Sequence, residues 1–216
     1  MKPTRIRATV VSAALVTVLA TASGGAQART GAEDAPRPPA SGAPPATNAC
    51  LTPDGTDLNA LLSIREPIIG PPACRVAPAG EKWVRSFPGW VTAPGAEGAV
   101  YPAGYTPSLP EPTDDFVLKF LGARIVQDIG TPRERSVSFG PEVLRLVVVS
   151  GGLPVATFAT PPLRPLKPGH HTSTVFVRLS ARHCDGLGTD PEANCLPGGE
   201  TQYTAATPFE VVERKR

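Results

Sequence analysis

Beyond residue 112 the chain alternates between two sets of side chains with the period of two that β-strands show. The first run begins at Phe116, Leu118 and Phe120 and continues to Val126. Further runs predict strands at residues 135–139, 143–149, 154–160, 174–181 and 203–212. Because these runs are short and separated by turn residues, they favour an antiparallel β-sandwich.

The number and spacing of the predicted strands indicate the fold class. Six or seven short strands over about 100 residues are typical of an immunoglobulin-like (Ig-like) sandwich. We therefore predict a mainly β protein whose residues 113–213 form an Ig-like antiparallel β-sandwich. The segment 50–112 has many prolines and few regular runs, so we predict an irregular, disulfide-bearing extension packed on the sandwich.

One short helix is predicted in this extension, at residues 57–62. Leu58, Leu61 and Leu62 share one face of such a helix. Either Thr56 or Asp57 can accept hydrogen bonds from the first free N–H groups and so cap it.

The first 49 residues predict export followed by a linker. Basic residues at positions 2, 5 and 7 precede an uncharged run over residues 8–22, and Ala26-Gln27-Ala28 has the small residues that signal peptidase requires. The run is shorter than the ~20 apolar residues of a membrane-spanning helix. Residues 1–28 are thus predicted to be a signal peptide cleaved after Ala28. Residues 29–49 lack large apolar side chains, which predicts a disordered Pro/Ala-rich linker.

Removal of this signal changes the charge of the chain. The 216 residues carry 21 basic and 19 acidic side chains, a net charge of +2, whereas the remaining 188 residues carry 18 and 19. A net charge near −1 with no basic cluster argues against nucleic-acid binding. We expect a monomer without a cofactor that has no membrane contact after cleavage, and whose partner is extracellular or part of the cell wall.

Four cysteines in an exported chain predict two disulfides. Three connectivities are possible. The spacing favours Cys50 with Cys74 and Cys184 with Cys195, since both pairs close short loops. No C-x-x-C motif is present, which makes a thiolate zinc site improbable.

His183 and the acidic loop that follows it are candidates for chemistry, although they have no catalytic motif. The pair would suit a secreted hydrolase, and the oxygen ligands of the loop would suit Ca²⁺. These ligands are Asp185, Asp190, Glu192 and Asn194. The more common reading of the loop is a solvated turn.

Asp114 and Asp115 precede a predicted strand, where acidic pairs protect a sheet edge. We assign no catalytic residue and no metal ligand.

His170 and His171 follow a Pro-Gly turn. Neighbouring residues on a strand face opposite sides, so these two side chains should not bind one ion.

Aromatic residues concentrate between positions 83 and 105. Trp83, Trp90, Tyr101 and Tyr105 are suited to stacking on a sugar, which would make the chain a carbohydrate-binding module. Packing at the end of a sandwich core is the more frequent role of such residues.

Five phrases of the sequence carry a resemblance to a known group. They are Gly55-Thr56-Asp57-Leu58-Asn59, Asp114-Asp115-Phe116, Leu166-Lys167-Pro168-Gly169-His170, His183-Cys184-Asp185-Gly186 and Cys195-Leu196-Pro197-Gly198-Gly199-Glu200. Together they resemble uncharacterised secreted actinobacterial proteins with an Ig-like C-terminal half. The resemblance implies a fold and an extracellular location, and it implies no activity or catalytic residue.

The sequence therefore predicts a secreted, non-catalytic β-sandwich protein that binds a partner or belongs to the envelope or matrix. The alternatives are the carbohydrate-binding module and the hydrolase that would use His183.

Overall fold

Runs of residues with alternating burial form most of the structure. The computed structural model describes residues 49–53, 55–70, 74–148 and 152–213. The predicted signal peptide, its cleavage site at Ala28 and all but the last residue of the predicted linker lie outside these described residues. Over the described part the chain is mainly β, with mixed sheets and short helices.

The larger sheet is built around one long strand, β8 (Gly169–Leu179). Its antiparallel neighbour on one side is β4 (Phe120–Gln127), which in turn pairs with the edge strand β5 (Arg135–Phe139). On the other side β8 pairs with β11 (Gly199–Gln202) and β12 (Thr207–Val212). Strand β2 (Val76–Pro78) completes the sheet by pairing with β12 in parallel.

The smaller sheet has the order β1 (Ile68–Ile69), β3 (Val84–Val91), β7 (Pro154–Ala159) and β6 (Leu144–Val148). The pairs β3–β7 and β7–β6 are antiparallel, whereas β1 and β3 are parallel. A 3₁₀ turn at Pro141–Val143 leads into β6.

The two sheets share a hydrophobic core. Ile125 and Val175 from the larger sheet pack in one cluster with Phe158 from the smaller sheet. A second cluster joins Trp83 to Phe209 and Val211 of β12. Because these side chains are fully buried, each stabilises the fold by roughly 1.5–3 kcal/mol.

Three short helices lie in the described residues, rather than the single helix that was predicted. They are α1 (Leu58–Leu62), α2 (Pro112–Lys119) and α3 (Pro191–Asn194). The prediction of α1 and its cap is confirmed, since the Asp57 carboxylate accepts hydrogen bonds from the N–H groups of Asn59 and Ala60.

The prediction of a strand from Phe116 is wrong at its beginning. Residues up to Lys119 are helical, and the strand starts at Phe120. Pro112 fits the first turn of a helix, where its missing N–H has no cost. Asp115 and Lys119 are then one turn apart and form an ion pair. Phe116 and Phe120 still enter the core, from the helix and from the strand.

The segment 50–112 contains more regular structure than expected. It supplies β1, β2 and the eight-residue β3, which lies within the smaller sheet. Prolines and glycines interrupt the alternation here, which hides the strand pattern in the sequence. The register of β3 against β7 shifts between Phe87 and Trp90, next to Gly89. A side chain at Gly89 would collide with Val155 and with the carbonyl group of Ala156.

Strand β5 has the bounds expected from the sequence, residues 135–139. Its pairing with β4 passes Gly122, whose φ is +139°. A Cβ at this position would meet the carbonyl oxygen of Phe139 at the end of β5. Only glycine therefore allows the two strands to stay this close.

Both disulfides have the local pairing that the spacing favours. Cys50 is bonded to Cys74, and Cys184 is bonded to Cys195. The second bond joins β9 (His183–Cys184) to β10 (Cys195–Leu196). Each bond restricts the unfolded chain and contributes on the order of 2–4 kcal/mol.

The helices of the described segments are at most eight residues long, and none has the length and apolar character needed to cross a membrane.

Candidate functional site

His183 is held in the interior by an acidic partner that the sequence did not indicate. Its side chain is 0% exposed, and Nδ1 lies 2.8 Å from Oδ2 of Asp115 on α2. The predicted partner was the acidic loop that follows His183. The pairing with Asp115 instead depends on α2, which places Asp115 against β9.

Asp115 is the centre of a buried hydrogen-bond network. Oδ2 also accepts hydrogen bonds from Lys119 Nζ at 2.7 Å and from Tyr105 Oη at 2.9 Å. Oδ1 accepts from the backbone N–H groups of Ser108 at 2.6 Å and Leu109 at 3.2 Å. The expectation that Asp115 protects a sheet edge is therefore wrong, because its side chain is buried and fully bonded.

The hydrogen bonds keep this carboxylate charged. Burial alone would raise the pKa of Asp115, but donation from Lys119, His183 and Tyr105 lowers the pKa to about 2. The Lys119 ammonium balances the negative charge. Asp115 is thus an acceptor only, so Nδ1 of His183 must carry the proton in their hydrogen bond.

His183 itself is neutral near pH 7. Burial lowers the pKa of its imidazole, and the hydrogen bond to Asp115 opposes this effect without cancelling it. With the proton on Nδ1, Nε2 is unprotonated, and it has no hydrogen-bond partner among the described residues. The rings of Phe116 and Trp90 stand edge-on to the imidazole, at centroid distances of 5.1 and 6.3 Å.

This geometry gives His183 a structural role. A catalytic base must reach a reacting group, yet the lone pair on Nε2 is enclosed by the protein. The network fastens α2 to the disulfide-linked pair β9–β10.

The acidic loop after His183 uses its oxygen atoms for its own turns. Asp185 accepts hydrogen bonds from the Leu187 N–H at 2.8 Å and from Asn194 Nδ2 at 3.2 Å. Asp190 caps α3 by accepting from the Glu192 N–H. Across the residues that the structure describes, no three His, Cys, Asp or Glu side chains are grouped as metal ligands.

The aromatic residues between positions 83 and 105 do not form one exposed platform. Trp83 is only 1% exposed, and its indole N–H donates to the Arg164 carbonyl oxygen at 3.1 Å. Trp90, Tyr101 and Tyr105 are half-buried. Trp83 is therefore unavailable for stacking on a sugar.

A concave groove lies beside β5. Strand register puts Arg135, Val137 and Phe139 on the same side as Gln127, Ile125 and Ala123 of β4. Ile125 is buried in the core, whereas Val137 is 41% exposed. The cleft between the sheets is therefore open at this edge.

Two cavities form the groove and meet at Gln127 and Arg135. The first, about 720 Å³, lies between β5 and residues 161–164. The second, about 410 Å³, lies between the β4–β5 turn and residues 165–167. We call these two adjacent cavities, whose linings come from residues 127–139 and 161–167, the β5 groove.

The floor of the β5 groove is apolar and its rim is basic. Val137, Phe139, Pro161, Pro162 and Leu163 supply apolar surface. Of the described residues, four with cationic side chains line the rim, Arg133, Arg135, Arg164 and Lys167. A rim of this kind attracts an anion, while the floor can bury apolar groups.

The acidic groups of the groove are already bonded. Asp128 accepts from the Thr172 N–H at 3.0 Å and lies 2.8 Å from Nδ1 of His171, while Glu134 accepts from the Gly130 N–H at 2.7 Å. Arg133 Nε lies 3.8 Å from Asp128. Within the described part of the chain, no carboxylate pairs with Arg135, Arg164 or Lys167.

His171 anchors one end of the groove. It is buried, its Nε2 lies 2.9 Å from the Lys167 carbonyl oxygen, and His170 beside it is exposed. The prediction that these two histidines face opposite sides of a strand is confirmed. The bond from His171 to Asp128 holds the β4–β5 turn against the other wall.

The groove residues were not predicted as a site. The prolines at 161, 162 and 165 and the nearby basic residues were the available signal, but no local pattern shows that they face β5.

Neither the family models nor the curated proteins nor the solved structures with which the chain was compared gave a match.

Proposed function

We propose that this chain is a secreted, non-catalytic binding protein that holds an anionic extracellular or cell-wall ligand in the β5 groove. The observation that carries the proposal is the set of three cations without a carboxylate partner in the described chain, Arg135, Arg164 and Lys167, above an apolar floor. Unpaired cations on one rim favour a ligand that brings the missing negative charge.

Two features support an extracellular protein. The first is the basic, apolar and small-residue order of residues 1–28. The second is the pair of disulfides, because such bonds persist in oxidising compartments.

We propose an Ig-like sandwich as the scaffold. The antiparallel sets β5–β4–β8 and β6–β7–β3 share one core, which supports this assignment. The parallel pairs β1–β3 and β2–β12, together with α2, are additions to that pattern.

The role of His183 supports binding rather than catalysis. The enclosed Nε2 meets no nucleophile among the described residues. The groove, by contrast, is open and has cationic side chains on both walls.

The test is a binding titration with a carboxylate polymer. Fluorescein-labelled polygalacturonate is titrated with the secreted protein, and neutral dextran serves as the uncharged control. Variant Arg135→Ala/Arg164→Ala should weaken binding by roughly tenfold for each arginine, because a hydrogen bond to a charged group contributes about 1.5 kcal/mol or more.

The matched control is Arg65→Ala/Lys82→Ala, which removes the same charge at exposed positions outside the groove. It should bind like the wild type. Equal losses in both variants, or equal binding of dextran, would contradict a specific site. Added salt should weaken wild-type binding, since exposed charges are screened.

A further inference from the structure

The β5 groove has a second property besides its charge: one wall is an unpaired strand edge. Strand β5 stands at the end of the strand order of its sheet and pairs with β4 on one side. Its residues are exposed up to Ser138 and half-buried at Phe139. In such an edge strand, alternate N–H and C=O groups point away from the sheet and are free to pair with another strand.

The opposite wall offers no free N–H group at positions 161–163 to pair with β5. Pro161 and Pro162 have no N–H to donate. The next residue, Leu163, donates its N–H to the Trp83 carbonyl oxygen at 2.7 Å, on the other side of the segment. The groove therefore stays open, with β5 offering main-chain groups along one wall.

The side chains of β5 alternate in a way that suits an extended ligand. Arg135, Val137 and Phe139 share the face of Gln127, Ile125 and Ala123, while Ser136 and Ser138 point to the other face of the sheet. Ser136 also contributes to the wall of the first cavity. A bound strand would meet apolar surface at Val137 and Phe139 and positive charge at Arg135 and Arg164. A polypeptide supplies N–H and C=O groups at the spacing that β5 requires, whereas a polysaccharide has no such ladder.

We infer that the β5 groove binds an extended segment of a partner protein as an additional strand on β5, with acidic and small apolar residues at every second position, so that both kinds of side chain face Arg135, Val137 and Phe139. This inference rests on the proposed function of the groove and specifies its ligand. Main-chain hydrogen bonds to β5 provide affinity. The basic rim selects acidic side chains, and the floor selects small apolar ones.

Edge strands also carry inward-facing charges that prevent aggregation, and Arg135 is such a residue. The two roles predict different results. If Arg135 only protects the edge, its removal leads to self-association and leaves peptide binding unchanged. If Arg135 recognises a ligand, its removal weakens the binding of an acidic peptide.

The experiment uses a labelled heptapeptide, Glu-Thr-Val-Thr-Val-Thr-Glu, measured by fluorescence anisotropy with the full secreted protein. In an extended strand its Glu and Val side chains share one face, and the N–H groups of Glu and Val point to one edge while those of Thr point to the other. Two N-methylated peptides, one blocked at Val and one at Thr, therefore probe the two edges separately. The same heptapeptide with Lys in place of Glu, and polygalacturonate, complete the set.

We expect the Glu-containing heptapeptide to bind, and one of the two N-methylated peptides to bind at least tenfold more weakly while the other is unaffected. The Lys-containing heptapeptide should not bind. Arg135→Ala/Arg164→Ala should weaken binding of the Glu-containing heptapeptide, and Arg65→Ala/Lys82→Ala should leave it unchanged.

Several results would overturn the inference. Equal binding of both N-methylated peptides would show that the peptide does not pair with a strand edge. If the arginine variant self-associates while peptide binding is unchanged, Arg135 only protects the edge from aggregation. If polygalacturonate binds through Arg135 but the peptide does not, the groove site stands and strand addition fails. If neither ligand binds, the proposed function fails as well.

Discussion

Asp115 and His183 are 68 residues apart in the chain, and Oδ2 of the first lies 2.8 Å from Nδ1 of the second in the interior of the protein. The contact links α2 to β9, and the disulfide next to His183 extends the link to β10. Since Lys119 and Tyr105 bond to the same carboxylate oxygen, three side chains depend on the negative charge at Asp115.

Asp115→Asn should destabilise the protein strongly. The amide removes the negative charge and leaves the Lys119 ammonium buried without its partner. Breaking a buried ion pair on one side costs about 3–5 kcal/mol. Urea unfolding followed by circular dichroism measures this change in the free energy of unfolding.

The matched control for this prediction is Asp114→Asn, the same substitution on the exposed side of α2. Its effect should stay within about 0.5 kcal/mol, as for most surface substitutions. Equal effects of the two variants would show that the buried network does not stabilise the fold.

The stability of the protein should decrease as the pH falls below about 6.5. Burial holds the pKa of His183 below 6.5 in the folded state, so the unfolded chain takes up a proton there first. The contribution of neutral His183 is complete above pH 6.5 and is lost as the pH falls toward its folded pKa, with a slope of at most about 1.4 kcal/mol per pH unit.

Urea titrations between pH 7.5 and 5 measure this slope, and the range avoids the carboxylate of Asp115, whose pKa is about 2. His183→Gln should reduce the slope, whereas His170→Gln on the surface should not. A slope that persists in His183→Gln would assign the pH dependence to other groups.

The tyrosines should resist ionisation in the folded protein. Burial raises the pKa of Tyr203 to about 12, and burial is also the largest cause of the raised pKa values of Tyr101 and Tyr105. These are the three tyrosines of the chain. Absorbance of tyrosinate at pH 10 should thus be well below half of its maximum in buffer and close to half in guanidinium chloride.

The raised tyrosine pKa values also affect the free energy of unfolding. Because the folded state holds its phenolic protons more tightly than the unfolded chain does, the free energy of unfolding falls as the pH rises above 10 through the folded pKa values. Half-maximal tyrosinate at pH 10 in the native protein would contradict the burial of these side chains.

Local patterns identified the elements whose signals lie within a few residues. Asp57 followed by Leu58, Leu61 and Leu62 predicts α1 because capping and helical spacing are both local. The bounds of β5 were found because its alternation is bounded by turn residues. The disulfide pairing followed from short loops, which need the least chain entropy to close.

Helix α2 was missed although its signals are present. The alternation of Phe116, Leu118 and Phe120 resembles a strand, while Pro112 and the Asp115–Lys119 spacing indicate a helix. The burial pattern is that of a helix, because Leu118 is exposed, whereas Phe116 and Lys119 are buried on the other side. Which face is buried depends on β7 and β9, and no local pattern reveals them.

The candidate site could not be predicted for a similar reason. Its walls are two segments more than 20 residues apart in the chain. The sequence around Arg135 and the sequence around Arg164 each lack a motif that predicts a binding site. Their common position on the rim results from the pairing of β5 with β4 and from the path of the chain after β7.

A map of amide chemical shifts in the ¹⁵N-labelled protein, recorded during titration with a short oligogalacturonate, locates the binding site directly. We expect shifts confined to the walls of the β5 groove, at residues such as Gln127, Val137 and Arg164, and their loss in Arg135→Ala/Arg164→Ala. The absence of shifts there, or equal shifts on the opposite side of the sheet near Arg178 and Glu200, would contradict the claim that the β5 groove is the binding site.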